Sequence, residues 1–231
     1  IDFSTAKAED FVIECWIYKT STQQDCWFSH RSSSTVELSI LLDSDAGGYS
    51  AGDVQIEYDS GKIYFDGGIL QNQWQHIAFV RTGTTIRWYT DGVLKDSRTE
   101  PASLPYIDED FEIGRFAGSQ FYYGGYMHDF RITRGLARYP YIATPVTLTQ
   151  TNSGMEQPDG TFPTATAGNT LFLTGHTTTI VDGSQHNTTI TKSGTVNVST
   201  YVPAGAPANM RSLYFDGSSD TLSATLPQTP G

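Results

Sequence analysis

Hydrophobic and polar positions alternate along most of this chain in short runs. Nowhere does an apolar repeat hold helical spacing over the roughly 11 to 18 residues that define a helix. The runs FVIECWIY (11–18), CWFSH (26–30), VELSILLD (36–43), DVQIEYD (53–59), KIYFDG (62–67), WQHIAFVR (74–81), TIRWYTDG (85–92), DFEIGRF (110–116) and GYMHDFRIT (125–133) each read as a strand. Turn residues separate them at short, regular intervals, which predicts a two-sheet antiparallel sandwich with very little helix. In WQHIAFVR the alternation puts His76, Ala78 and Val80 on one face and Ile77, Phe79 and Arg81 on the other, a strand covered on both sides. Trp74, at its start, reads as core packing. Asp91-Gly92 can adopt the positive φ angles of a tight hairpin, so Ile86–Tyr89 and Val93–Lys95 are expected to be antiparallel neighbours. Ser60-Gly61 does the same between the runs at 53 and 62.

Past Arg138 the pattern weakens, and TNSGMEQPDGTFPTATAGNT (151–170) is turn-rich loop. Strand-like runs resume as NTLFLTG, TTTIVDG, NTTITKSG and TVNVSTYV. The Pro- and Ala-containing spacer VPAGAPAN (202–209) then precedes a last run, SLYFDGSSDTLSATL (212–226). Its apolar Leu213, Phe215 and Leu222 demand a sheet partner. Either it closes the same sandwich or it joins a neighbouring domain or subunit, and the extended spacer favours the neighbour.

A chain of 231 residues can bury a substantial core without disulfides or metals. With 25 acidic and 14 basic residues the net charge is -11, which repels phosphate backbones and anionic lipid surfaces. Nucleic acid is therefore excluded as the expected partner. No run approaches the ~20 apolar residues of a membrane helix, so membrane insertion is not expected either. The opening IDFSTAKAED has no initiator Met and no signal-peptide pattern, as in a processed or excerpted piece. Cys15 and Cys26 lie in two runs that can pair as a hairpin around KTSTQQD. A disulfide between them and two ordinary buried thiols are both open.

Taken in order, EDFVIECWIY, WQHIAFVRTGTTIRWYTDGVL, FEIGRF and YYGGYMHDFRITRGLARY resemble the laminin G-like branch of the concanavalin A-like lectin and glucanase superfamily. LFLTGHTTTIVDGSQHNTTITKSGTVNV resembles the tail that follows such domains in bacteriophage and marine-virus structural proteins. The resemblance implies a jelly roll over 1–150, a β-rich extension of it over 151–201, a linker at 202–211, and in 212–231 the opening strand of a following repeat or the closing strand of this sandwich. It implies a virion-surface or extracellular module: a tail fibre, capsid fibre or decoration protein, homo-oligomeric or part of a tandem-repeat chain. Such a module binds host glycans or neighbouring subunits, or serves purely as cement.

Against that background three groups of residues carry candidate chemistry. Asp108, Asp110 and Glu112 alternate, so they share a strand face about 7 Å apart, in the manner of the superfamily's glucanases. A retaining glycosidase needs two carboxylates about 5 to 5.5 Å apart in an aromatic-lined cleft. The continuation FEIGRF instead follows the non-catalytic pattern, so no catalytic residue and no enzyme is expected. Asp43, Asp45 and Asp53, spaced by glycines, offer oxygen donors for calcium. Tyr122, Tyr123 and Tyr126, with Phe121 beside them and Trp88, Tyr49 and Tyr58 as weaker candidates, offer rings for stacking on sugars. Five scattered histidines lack zinc-site spacing. Finally, Glu14 and Arg131 sit inside apolar runs, and a covered charge needs a partner. They are expected to pair with each other or to share a polar network with Asp129.

Overall fold

The computed structural model describes residues 10–32, 35–42, 52–58, 61–99, 110–116, 120–134 and 170–226. Among these there is no helix, and fifteen strands form two antiparallel sheets. The first sheet has the order β13(Asn197–Ser199), β14(Ser212–Asp216), β10(Gly124–Arg134), β1(Phe11–Lys19), β6(Trp74–Thr82), β7(Thr85–Thr90), β8(Val93–Thr99). The second runs β12(Thr191–Ser193), β15(Thr221–Thr225), β9(Asp110–Ile113), β2(Asp25–Ser32), β3(Thr35–Leu42), β4(Val54–Tyr58), β5(Gly61–Phe65). β11(Thr170–Thr174) joins the first sheet beside β10. One flank of β10 is thus shared: β14 takes residues 124–127 and β11 takes 130–133. They divide at Asp129, whose φ of 52° marks the irregularity between the two pairings.

Alternation builds the core. Ile13, Cys15 and Ile17 of β1, Ile77 and Phe79 of β6 and Met127, Phe130 and Ile132 of β10 point toward Phe28, Leu38, Ile40, Phe111 and Ile113 of the second sheet. Trp27 meets Trp88 and Phe130 edge-on, with centroids 5.9 and 5.6 Å apart. The Trp88 indole N–H donates to the Gly67 carbonyl and the Thr90 hydroxyl, which satisfies a polar atom deep in the core. The other face of β6 is covered too, where Ala78 and Val80 cluster with Val12 and Tyr89. The β7–β8 hairpin turns at Asp91 and Gly92, with φ of 51° and 73°.

Two expectations are corrected, and one alternative that the sequence leaves open is decided. β1 and β2 are not a hairpin: β1 pairs with β6 and β10, and β2 with β3 and β9, so the KTSTQQD segment crosses between sheets. Cys15 and Cys26 are both free thiols, held protonated by burial. The Cys15 sulfur accepts the Trp27 indole N–H at 3.0 Å, while the Cys26 thiol donates to the Phe28 carbonyl. Finally, residues 212–225 do not leave for a neighbour. β14 pairs with β10 and β15 with β9, so the last hairpin contributes one strand to each sheet of the same sandwich.

Candidate functional site

Along the outer face of the first sheet, burial falls away from one end of β1 to the other. Val12, Glu14 and Trp16 are covered, while Tyr18 is half-buried. At that open end the register lines up rings on four neighbouring strands. Trp74 of β6 lies opposite Tyr18, Tyr18 opposite Tyr126 of β10, and Tyr126 opposite Tyr214 of β14. Directly opposed residues share a sheet face, so these side chains form one row. Centroids are 5.7 Å apart for Tyr18–Trp74, 6.0 Å for Tyr18–Tyr126 and 5.1 Å for Tyr126–Tyr214. Tyr201, from the loop after β13, stands over the middle, 5.0 Å from both Tyr18 and Tyr126 and 5.6 Å from Trp74. It is 44% exposed and Tyr214 is 37% exposed. A hydrogen bond with Tyr18, aided by partial burial, pushes the Tyr201 phenol up to about 12, so it stays a hydroxyl. Five partly exposed rings, four of them carrying phenolic hydroxyls, can pack against apolar faces while bonding to polar edges, whereas the Trp74 indole nitrogen is itself buried.

Of the ring candidates taken from the sequence, Tyr126 belongs to this row. Tyr123 and Trp88 do not: both are fully buried in the core, Tyr123 with its centroid 6.0 Å from Phe215. Tyr122 is half-buried and bonded to Arg115, away from the row. Tyr58 packs against the core, and Phe121 lies edge-on to Phe116. Trp74 was expected in the core and is instead on the outer face. Tyr18 was legible in principle, since it continues the period-2 face of Glu14 and Trp16. Tyr201 carries no periodic signal at all.

Tyr49, Asp43 and Asp45 lie outside the described residues. Asp53 is half-buried just before β4. Among the described residues no group of three His, Cys, Asp or Glu side chains converges as metal ligands. Asp108 also lies outside them. Asp110 and Glu112 project outward from the second sheet, with Phe111 and Ile113 turned into the core. Glu112 is bound by the Arg115 guanidinium, whose Nε donates to Oε2 at 2.9 Å, and Asp110 accepts the Thr225 hydroxyl.

Behind the rings the same face of the first sheet holds a buried polar layer. Arg131 Nε donates to Glu14 Oε1 at 2.8 Å, and both side chains are fully buried. His76 Nε2 lies 3.5 Å from the other Glu14 oxygen. Asp129 faces His128 at 3.4 Å and His176 at 4.0 Å, and His128 Nδ1 meets the Arg211 carbonyl at 2.6 Å. Burial lowers His128 and His176 below the usual imidazole range, and it takes His30, in the core, to about 4.

A depressed folded-state value means stability that is full above the ordinary histidine range and is lost as pH falls toward the folded value. Between pH 6.5 and 4.5 His30 alone therefore removes about 2–3 kcal/mol. Urea midpoints measured across that window should drop, and His30→Gln should flatten part of the slope. An unchanged slope in the variant refutes the assignment.

A family model described as the concanavalin A-like lectin/glucanases superfamily matches residues 2–137. No curated protein matches. Among solved structures, a candidate carbohydrate-binding protein from Bacteroides ovatus ATCC 8483 is similar at 12% identity and a TM-score of 0.53, over 95% of this chain and 54% of that one. The chain thus spans about half the length of that relative. Domain 4 of AbnA, a GH43 extracellular arabinanase from Geobacillus stearothermophilus solved with arabinotriose, is 20% identical with a TM-score of 0.43, covering 56% of this chain and 63% of that one.

Proposed function

The chain belongs to the concanavalin A-like lectin/glucanases superfamily, and from that premise we propose that it is a non-enzymatic glycan-binding module whose site is the ring row of Trp74, Tyr18, Tyr126, Tyr201 and Tyr214. The single observation that carries this reading is five packed, partly exposed aromatic side chains on one open sheet face. The apolar faces of sugar rings suit such a surface, and phenolic hydroxyls can meet their equatorial hydroxyls. The fold shared with the Bacteroides ovatus protein supports the reading at the level of architecture.

The acidic pair of β9 lies away from the rings. Asp110 and Glu112 sit on the outer face of one sheet and the rings on the outer face of the other. Packed sheets are about 10 Å apart, so neither acid reaches a sugar held at the rings.

A glycan array followed by calorimetry tests the proposal. Tyr214→Ala, at an exposed position, and Trp74→Ala should each weaken binding about tenfold or more, which is about 1.4 kcal/mol. Unfolding curves of the Tyr214 variant should be close to those of the parent. Wild-type affinity in both variants, or sugar release that disappears with Glu112→Ala, would overturn it.

A second reading, a subunit contact, rests on the sheet edge at β8, where Val93 and Leu94 are 56% and 47% exposed. If copies associate there, light scattering should show an oligomer that Leu94→Lys dissociates. A monomer at all concentrations removes this reading. We place the module on a virion surface or in the extracellular space, supported by the resemblance of residues 171–198 to tails in phage and marine-virus structural proteins.

A further inference from the structure

The direction of the ring row constrains what it can hold. Trp74, Tyr18, Tyr126 and Tyr214 are successive cross-strand partners, and Asn197 of β13 stands opposite Tyr214 at the sheet edge, its side chain exposed on the same face. Strands are about 4.8 Å apart, so four ring positions extend over about 14 Å and Asn197 carries the line to about 19 Å. Tyr126 touches Trp74, Tyr18, Tyr201 and Tyr214 and is the hub of the cluster, while Tyr201 and Tyr214 are its most exposed rings. The surface that a ligand meets is therefore the row of Trp74, Tyr18, Tyr126 and Tyr214, with Tyr201 over its middle and Asn197 at its edge. One sugar ring would leave most of this line uncovered.

Charge constrains the ligand as well. Lys19, next to Tyr18, is buried and donates to the carbonyls of Ser21 and Gln23. The Arg211 guanidinium donates to the carbonyls of Ala208 and Met210. Asp216, two residues beyond Tyr214 on the same face, is exposed. Desolvation opposes its ionisation, but hydrogen bonds from Ser219 and Ser218 prevail and hold it well below the usual carboxylate range. An acidic ligand at this end of the row would meet a fixed negative charge, within a chain of net charge -11.

We infer that the row binds a neutral, linear oligosaccharide laid across the strands with several consecutive sugar units engaged, and that it discriminates against uronic-acid, sialic-acid and sulfated glycans. This rests on the glycan-binding reading above.

The test uses neutral xylo-, manno- and gluco-oligosaccharide ladders of one to six units, with oligogalacturonates and sialyllactose as acidic probes, titrated by calorimetry. Affinity in one of the neutral ladders should rise about tenfold or more from monosaccharide to tetrasaccharide and then level off, with acidic probes about tenfold weaker or worse. Tyr214→Ala should make the plateau arrive at a shorter chain, and Asn197→Lys should improve acidic binding. A monosaccharide bound as tightly as the tetrasaccharide, or a preference for acidic probes, overturns this inference. If such binding is still lost in Tyr214→Ala, the broader glycan reading survives. No binding in any series sinks both.

Discussion

Arg131→Met lowers the stability of the sandwich by about 3–5 kcal/mol, the expected cost of removing one partner from a fully buried ion pair. Arg131 lies on β10 and Glu14 on β1, in register, in the middle of the first sheet. Their side chains project from the face opposite the inter-sheet core, yet both are fully buried. The substitution keeps much of the apolar stem and removes the guanidinium, leaving the Glu14 carboxylate in a covered position without the cation that offsets its desolvation. Glu14→Gln should cost less, because a neutral amide is cheaper to bury than a carboxylate. The double change Glu14→Leu/Arg131→Met should recover most of the loss, since apolar side chains of similar volume often replace buried ion pairs without penalty. Urea unfolding of the four proteins gives a double-mutant cycle. Additive losses, with no recovery in the double variant, would show that the pair is not the source of the effect.

Strands and turns were legible because their signals are local. Period-2 alternation marks where each strand runs, and Asp91-Gly92 fixes its turn because only a few residue pairs tolerate two positive φ angles. Alternation does not say which sheet a strand joins. FVIECWIY and DCWFSHRS both carry covered faces, and a hairpin and a crossing between sheets bury the same side chains. That is why Cys15 and Cys26 looked like possible partners when their strands lie in different sheets.

Trp74 and Trp88, fourteen positions apart, pose the same problem. Both are tryptophans on strands, but Trp88 opposes Phe79 and faces the core, whereas Trp74 opposes Tyr18 and faces outward. Only the pairing of β6 with both neighbours separates them. The candidate site is harder still to read, because it is a property of register: Tyr18, Trp74, Tyr126 and Tyr214 are scattered over almost two hundred positions and meet only when β14 closes beside β10. The spacer at 202–209 argued for a departing chain, yet Pro203 and Met210 are buried, and Ser212 donates back to the Tyr201 carbonyl. The segment is a return loop, and it is what delivers Tyr201 to the rings.

Gly125→Ala should be as damaging as any single change in the sheet, and it should remove sugar binding along with stability. Gly125 sits in β10 between Lys19 of β1 and Phe215 of β14, with a φ of 141° that side-chain-bearing residues rarely adopt. A Cβ there would overlap the Tyr18 carbonyl oxygen and come within 3.1 Å of its carbon and 3.2 Å of Lys19 Cα. All of these are backbone atoms, so no side chain can rotate away and a strand must shift. Positive-φ strain and overpacking each cost about 1–3 kcal/mol, for a combined loss of about 2–6 kcal/mol. Gly83→Ala is the control. Its φ is 56°, and a Cβ there meets nothing within 4 Å, so only the conformational cost of about 1–2 kcal/mol applies. Because Gly125 lies beside Tyr126 and presses on Tyr18, any shift that relieves the clash moves two rings of the row. Thermal unfolding and glycan titration of both variants check this: equal losses in the two would mean that the close approach of β10 to β1 is not what requires glycine at 125.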